Sequence, residues 1–242
     1  MTRIFTIIPV KNEQHRYLES CIADLKHEVD EIFVWDDGSS DDSVSIAEEA
    51  GALVARREKD APSFMENESE FRADMWKAFS NLTDVTEEDW VLALDADEFL
   101  AGPFVYQTLL RLTEKDITYA FKFLEIFEIS NDKAFKRTDG YWDRIFNPRF
   151  FRFKNDLKWP NGKMGCGSVP SYALKQQIEV VRDIRIMHLG YTSKKDRKEK
   201  YQRYIKKPGH NLDHIKSILT TPDLQEVFWN LPYDLKGKML DV

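Results

Sequence analysis

The first hundred residues alternate between short apolar runs and segments of helical periodicity, and that rhythm restricts the fold more than any other feature of the chain. RIFTIIPV (3–10) is nearly all apolar, as a parallel strand covered on both faces requires. Tyr17 to His27 follow, with Leu18, Cys21, Ile22 and Leu25 at helical spacing. EIFVW (31–35) reads as a second strand. DDGSSDDS then turns into the helix SVSIAEEA, with Ser40 or Asp41 as its cap and Gly51 closing it. ALVAR (52–56), a helix over 69–82 and DWVLAL (89–94) complete a β-α-β-α-β-α-β order. Strands separated by single helices and short turns predict an α/β fold, with a right-handed, mostly parallel sheet and helices on both faces.

After residue 100 the rhythm changes. A helix is expected from about Phe104 to Leu112, then a long strand or hairpin over ITYAFKFLEIFEI (117–129). NPRFFRF (147–153) and IEVVRDIRIMHL (178–189) read as further strands, and SKKDRKEKYQRYIKK (193–207) as a strongly basic helix broken by Pro208-Gly209. The tail reads as two short helices. With 242 residues and no low-complexity linker, the chain suits one continuous domain.

The net charge of -7 hides an asymmetry. Residues 1–132 hold 12 basic and 30 acidic residues, whereas 133–210 hold 20 and 7. The acidic half argues against nucleic-acid binding there. The basic half suits an anionic acceptor, a nucleic acid or a membrane face, unless the two halves neutralise each other within the fold. No apolar run reaches membrane-spanning length, and the N-terminus lacks the design of a signal peptide, so no transmembrane segment and a cytoplasmic location are expected. Cys21 and Cys166 lack metal or redox spacing, which fits a reduced compartment and two small buried residues.

In open α/β sheets, ligands bind beyond the carboxyl ends of the strands. Four polar turns fall there: 9–13, 36–42, Arg56 with Arg57, and 95–98. The last is the most informative, because the core-like VLAL runs directly into Asp95, Asp97 and Glu98. Three carboxylates beside a core form either a solvated turn or the seat of a cation. No G-x-G-x-x-G opens the first helix and no Walker lysine loop exists, so a dinucleotide or P-loop reading falls away. A divalent metal on the carboxylates after the fourth strand would neutralise bound phosphates instead.

IIPVKNE, VWDDGSSDDS and LALDADEF, in this order and at these intervals, resemble the family 2 glycosyltransferases of the GT-A fold. The resemblance is strong over residues 3–100. It continues more weakly through PRFFRF (148–153) and HLGY (188–191) with the basic helix that follows. It implies a GT-A-like central sheet with a smaller mixed C-terminal acceptor region. Residues 1–115 would form the nucleotide-sugar-binding half, 116–210 the acceptor-binding and catalytic half, and 211–242 a helical tail. It also implies metal-dependent transfer from a nucleotide-diphosphate sugar, a UDP-sugar first, with Mn²⁺ or Mg²⁺ as cofactor.

By the same resemblance, Asp36, with Asp37 beside it, would hydrogen-bond the base, and Pro9, Val10 and Asn12 would line the base and ribose pocket. Arg72 would lie near the donor phosphates or base. Asp95 would touch the ribose or donor sugar, Asp97 and His188 would bind the metal, and Glu98 would stand behind them as an outer acid. Plainer readings exist: a strand-to-helix turn for Asp36 and Asp37, a helix-surface ion pair with Glu68 for Arg72, and a structural strand-end residue for His188.

The sequence departs from the family pattern in three places. Lys11 stands where many members have an aromatic residue, and MENESEFRADMW replaces a glycine-rich stretch before the arginine. The acid that commonly serves as catalytic base is absent from WPNGKMGCGSVP (159–170). Asp139, Asp143 and Asp156 are the candidates from elsewhere. Asp143 is preferred because its aromatic neighbours would raise its pKa. Acceptors suited to a basic, aromatic half are an anionic glycan, a lipid-linked sugar or modified DNA. A nucleotidyltransferase could share this sheet and metal site but normally needs a glycine-rich phosphate loop. A non-catalytic nucleotide-sugar-binding module is the other alternative.

Overall fold

In the computed structural model, residues 2–156, 158–162, 165–205 and 212–227 are described. The alternating half folds as its pattern requires. Strands β1 (Ile4–Val10), β2 (Glu31–Asp36), β3 (Leu53–Arg56) and β4 (Trp90–Ala93) alternate with helices α1 (Leu18–Leu25), α2 (Ser43–Glu49) and α3 (Glu68–Leu82). β1 pairs in parallel with β2 and β4, and β2 with β3. The strand order therefore reverses beside β1, where a crevice opens at the carboxyl ends.

Successive side chains point to opposite faces of the sheet, and both faces are covered. Ile4, Ile8, Ile32, Val34 and Leu92 pack with Leu18, Ile22, Leu25 and Ala47 of α1 and α2. Phe5, Ile7, Phe33, Trp35 and Val91 pack with Phe71, Met75, Trp76 and Phe79 of α3. Trp76 anchors that second layer, with ring centroids 5.3 to 5.7 Å from Phe153, Phe79 and Phe151. The α2 cap forms one residue later than the spacing suggests. Asp42 is the N-cap by backbone, while the Asp41 carboxylate accepts the Ser43 N–H. Gly51, at φ +88°, closes the helix as expected.

The second half comprises β5 (Glu98–Ala101), α4 (Val105–Arg111), β6 (Ile117–Ser130), β7 (Lys133–Arg137), β8 (Phe146–Arg152), β9 (Gln177–His188), α5 (Lys194–Ile205), α6 (Leu212–Ser217) and β10 (Leu224–Val227). The sheet runs β10-β7-β6-β8-β4-β1-β2-β3, with β9 pairing β5 and β6 off this path. β8 lies antiparallel between β4 and β6, which makes the sheet mixed on this side.

Two elements differ from the sequence reading, and a third combines the two alternatives it offered. β5 begins inside the acidic run. β6 is a long strand that also forms a hairpin with β7 through Asn131 and Asp132, at φ +50° and +59°. Residues 224–227, expected to be helical, pair with β7 as a strand. The Pro208-Gly209 break and the rest of the expected helical tail, 228–242, lie outside the described residues.

Candidate active site

The site is assembled where β4, β5, β6 and β9 meet. After β4 the chain turns tightly, with Glu98 N–H donating to the Asp95 carbonyl at 3.0 Å and Asp95 N–H donating to the Glu98 carboxylate at 3.1 Å. β5 then pairs with β9, placing Glu98 opposite His188, and Leu189 N–H donates to the Asp97 carbonyl at 2.8 Å. This register brings Asp97 Oδ2 within 3.6 Å of His188 Nε2. Behind the ring, Glu125 of β6 meets His188 Nδ1 at 2.6 Å. A Cβ on Gly190 would collide with Lys200 Nζ, Asp97 Oδ2 and His188 Nε2, so a glycine there leaves these atoms room to converge.

With the Lys200 ammonium moved aside, the chemistry of that gap would suit a divalent ion. It offers one carboxylate oxygen and one imidazole nitrogen, with the imidazole oriented from behind by a carboxylate, the usual support of a metal-binding histidine. Among the described residues no group of three His, Cys, Asp or Glu side chains converges to hold a metal unaided. An ion of the Mg²⁺ or Mn²⁺ type uses one or two carboxylates and takes its remaining oxygens from substrate phosphates and water. Burial opposes the charge on Asp97, but Lys200, His188 and Arg16 outweigh it and hold the carboxyl well below its usual range. Glu125→Gln keeps the shape while losing the carboxylate, and it is expected to weaken Mn²⁺ affinity about 10- to 100-fold. Titration of Mn²⁺ by electron paramagnetic resonance checks this; an unchanged affinity would mean that Glu125 is only packing.

A cavity of about 300 Å³ runs from this gap over the ends of β1 and β2. Pro9, Val10, Lys11 and Asp37 line its far end, and Lys200, Arg203 and Tyr204 of α5 close it. Asp37 is held by Arg57 at 2.6 Å, Lys11 at 3.4 Å and the Phe64 N–H at 3.2 Å. Asp36, fully buried on the opposite side, accepts the Ser39 N–H in a local turn. Asn12, at φ +55°, ties two loops together by accepting the Ser40 N–H at 2.8 Å. Among the described residues, the structure thus gathers Pro9, Val10, Asp37, Asp95, Asp97 and His188 on one wall, while Asp36 and Asn12 shape the turns beneath it.

A second cavity, of about 580 Å³, adjoins the first and shares Phe64, Asp95, Tyr191, Arg203 and Tyr204 with it. Arg72 and Arg149 line it. Arg72 is ion-paired with Glu68 at 3.0 Å, as the plainer reading anticipated, but the pair is buried rather than on the surface. The other Glu68 oxygen accepts the N–H groups of Gly165 and Cys166, so the acid-free 159–170 segment is anchored by an acid from α3. Burial pushes the Cys166 thiol up to about 11, and both cysteines are free and buried.

The base candidates lie elsewhere. Asp143 pairs with Lys136 at 2.5 Å and Lys122 at 3.3 Å, and Asp139 with Arg137 at 2.5 Å. Burial raises the Asp143 pKa, yet its two lysines more than reverse this, so the carboxyl sits below its ordinary value and not above it. Asp156 accepts the Lys158 N–H in a local turn. None of the three contributes to the walls of either cavity.

Four polar residues of the site escape sequence reading. Arg16 reaches Glu13 at 3.1 Å, Asp196 at 3.6 Å and Asp97 at 3.8 Å. Glu125 supports His188. Lys200 stands 3.6 Å from Asp97, and Arg149 meets the buried Glu98 at 2.6 Å. Burial pushes Glu98 up to about 7 although Arg149 opposes the rise. Pairs such as Lys200–Asp97, Arg149–Glu98 and Arg152–Glu88 join the basic half to the acidic one, so part of the charge asymmetry is neutralised internally.

An α/β sheet whose order reverses beside β1, with an acidic turn after β4 and a mixed second half, defines the GT-A class of glycosyltransferase folds. Residues 6–175 match the sequence model described as Glycosyl transferase family 2, and the chain belongs to that family. An uncharacterized glycosyltransferase of Rickettsia felis is 26% identical over 165 residues, covering 65% of this chain and 52% of the relative. The chain thus spans about half the length of that relative. The crystal structure of S. aureus TarS superposes on 90% of this chain and 42% of its own at 17% identity, with a TM-score of 0.50, a likeness of fold alone. Glucosyl-3-phosphoglycerate synthase from Mycobacterium tuberculosis, solved with Mn²⁺ and UDP, is 25% identical over 51% of this chain and 44% of its own. Its TM-score of 0.35 is too low to transfer site geometry. Among the described residues, no helix is long and apolar enough to cross a membrane.

Proposed function

We propose that this chain moves a sugar from a nucleotide-diphosphate sugar, a UDP-sugar first, to an anionic acceptor with the help of Mn²⁺ or Mg²⁺. The observation that carries this reading is the meeting of two cavities at Asp95, one leading to Asp97 and His188 and the other to a basic, aromatic wall. Asp97 and His188 would hold the ion, which supplies positive charge to the departing diphosphate. Pro9, Val10 and Asp37 would receive the nucleoside. Asp95, whose side chain is 41% exposed, faces both cavities.

The acid that takes the acceptor proton must reach the second cavity. Glu68 and Asp95 are the carboxylates on its wall, among the described residues. Glu68 is already engaged by Arg72 and two backbone N–H groups. Asp95 is therefore the carboxylate we assign to proton transfer. Two of the arginines there, Arg72 and Arg149, are neutralised by Glu68 and Glu98. The remaining positive charge suits an acceptor with one or two anionic groups, such as an anionic or lipid-linked glycan, better than a DNA polyanion.

A thermal-shift screen of nucleotide sugars with and without Mn²⁺ tests the donor reading. A ligand at a hundred times its Kd stabilises by about 2.7 kcal/mol, roughly 5–10 °C for a chain of this size. The expected result is a shift with UDP-sugars that requires the metal. No shift with any nucleotide would sink the proposal, and metal-dependent binding without turnover on any acceptor would favour a non-catalytic module. Steep loss of activity with salt would return DNA to consideration.

A further inference from the structure

The gap between Asp97 and His188 already has a cationic neighbour. Lys200 reaches it from α5, with Nζ 3.2 Å from His188 Nε2 and 3.6 Å from Asp97 Oδ2. The ammonium lies 4.4 Å from the centre of the Tyr191 ring, and the side chain is only 13% exposed. A Cβ on Gly190 would collide with Lys200 Nζ, Asp97 Oδ2 and His188 Nε2 together. Those three atoms thus converge on one small volume, and the ammonium sits within it.

We propose that Lys200 is a resident counter-ion of the metal seat, competing with the divalent ion for Asp97 and His188 and giving way when a diphosphate is present to receive it. The inference rests on the metal-dependent reading above. In the neutral tautomer that donates Nδ1–H to Glu125, His188 Nε2 directs its lone pair toward Lys200 Nζ. An ammonium and a divalent ion cannot share that volume, because their repulsion in a poorly hydrated site is large. Lysine carries its charge on a flexible four-carbon stem, so the head can swing. The direction open to it is the donor cavity, whose wall it shares with Arg203 and Tyr204.

Metal and diphosphate binding then become coupled. The ion must displace the ammonium, the ammonium gains a phosphate partner, and each ligand tightens the other by the same factor. Arg16, 3.8 Å from Asp97 Oδ2, also faces that carboxylate, and it is paired with Glu13 and Asp196 as well.

The test is Mn²⁺ titration by electron paramagnetic resonance on the full chain, with and without saturating UDP, using Lys200→Met and Lys200→Gln. The expected result is that both variants bind Mn²⁺ about tenfold or more tightly without nucleotide, and that the gain from UDP shrinks by a similar factor. Thermal unfolding establishes that each variant is folded, and either one suffices. Lys195→Met removes an equal charge from an exposed position of the same helix and should leave Mn²⁺ affinity as in the wild type. Unchanged affinity in the Lys200 variants overturns the proposal, as does equal tightening in Lys195→Met. Asp97→Asn separates the two readings. If it binds Mn²⁺ with UDP as the wild type does, the metal seat itself is wrong. If it loses Mn²⁺ while the Lys200 variants behave as wild type, only the lysine proposal fails.

Discussion

Asp97→Ala is expected to lower metal-dependent sugar transfer about a thousandfold or more, roughly 4 kcal/mol of transition-state stabilisation, with little loss of fold. The reason lies in what each part of the residue does. The backbone carbonyl, which accepts the Leu189 N–H, holds the turn against β9 and is untouched by the substitution. The carboxylate is the part that faces His188, Lys200 and Arg16, and against the opposing effect of burial the charges of Lys200 and Arg16 help to hold it ionised. Without it, the divalent ion of the proposed mechanism would lose its carboxylate ligand, and His188, Lys200 and Arg16 would be left facing one another. Steady-state assay with Mn²⁺, paired with a thermal melt, checks the prediction. Transfer within tenfold of the wild type would place the metal elsewhere.

How much of this site could be read from the sequence depends on what kind of signal each residue carried. Parallel strands were legible where they are covered on both faces and so nearly all apolar, as RIFTIIPV and VLAL are. Asp95 and Asp97 stood out because charges after such a run are rare. Asp36 and Asp37 were harder. Neighbouring residues at a strand end face opposite sides, and only the packing of Phe33 and Trp35 against α3 shows that Asp37 shares the cavity's side. β5 was invisible because its four residues follow the acidic turn without any break signal, and β10 because four residues carry little periodicity.

Glu125 and Lys200 were hidden for a different reason. Glu125 is one acid within a long aromatic strand, and its role depends on the parallel register of β6 with β9 that puts it beside His188. Lys200 is one of several basic residues on α5, and only its approach to Asp97 distinguishes it. Pairings between distant segments leave no local trace in sequence. The expected rise in the Asp143 pKa was misjudged similarly, because its aromatic neighbours are adjacent in sequence while the deciding Lys136 and Lys122 come from β7 and β6.

The largest expected effect on stability lies directly behind the site, at the pair of Glu98 and Arg149. Glu98 is 1% exposed and Arg149 6%, their contact is 2.6 Å, and Arg149 also stacks 5.2 Å from the Phe123 ring. Removing one partner of a buried pair costs about 3–5 kcal/mol, because the other charge is stranded. The two single substitutions should not be equal. An arginine cannot shed its proton, so Glu98→Met leaves a full charge without its 2.6 Å partner, faced at longer range by Asp95, 3.9 Å away, and by Asp97. A carboxyl can neutralise itself, and burial already pushes Glu98 up to about 7 against the pull of Arg149. Arg149→Met is therefore expected to be the milder of the two, by about 1 kcal/mol or more. The double substitution Glu98→Met with Arg149→Met strands no charge and should recover most of the loss, since well-packed apolar replacements of buried pairs are often neutral or better. Urea unfolding of the wild type, both singles and the double forms the cycle that measures this. Equal losses in the two singles, or a double variant as unstable as their sum, would show that the pair is worth no more than its packing.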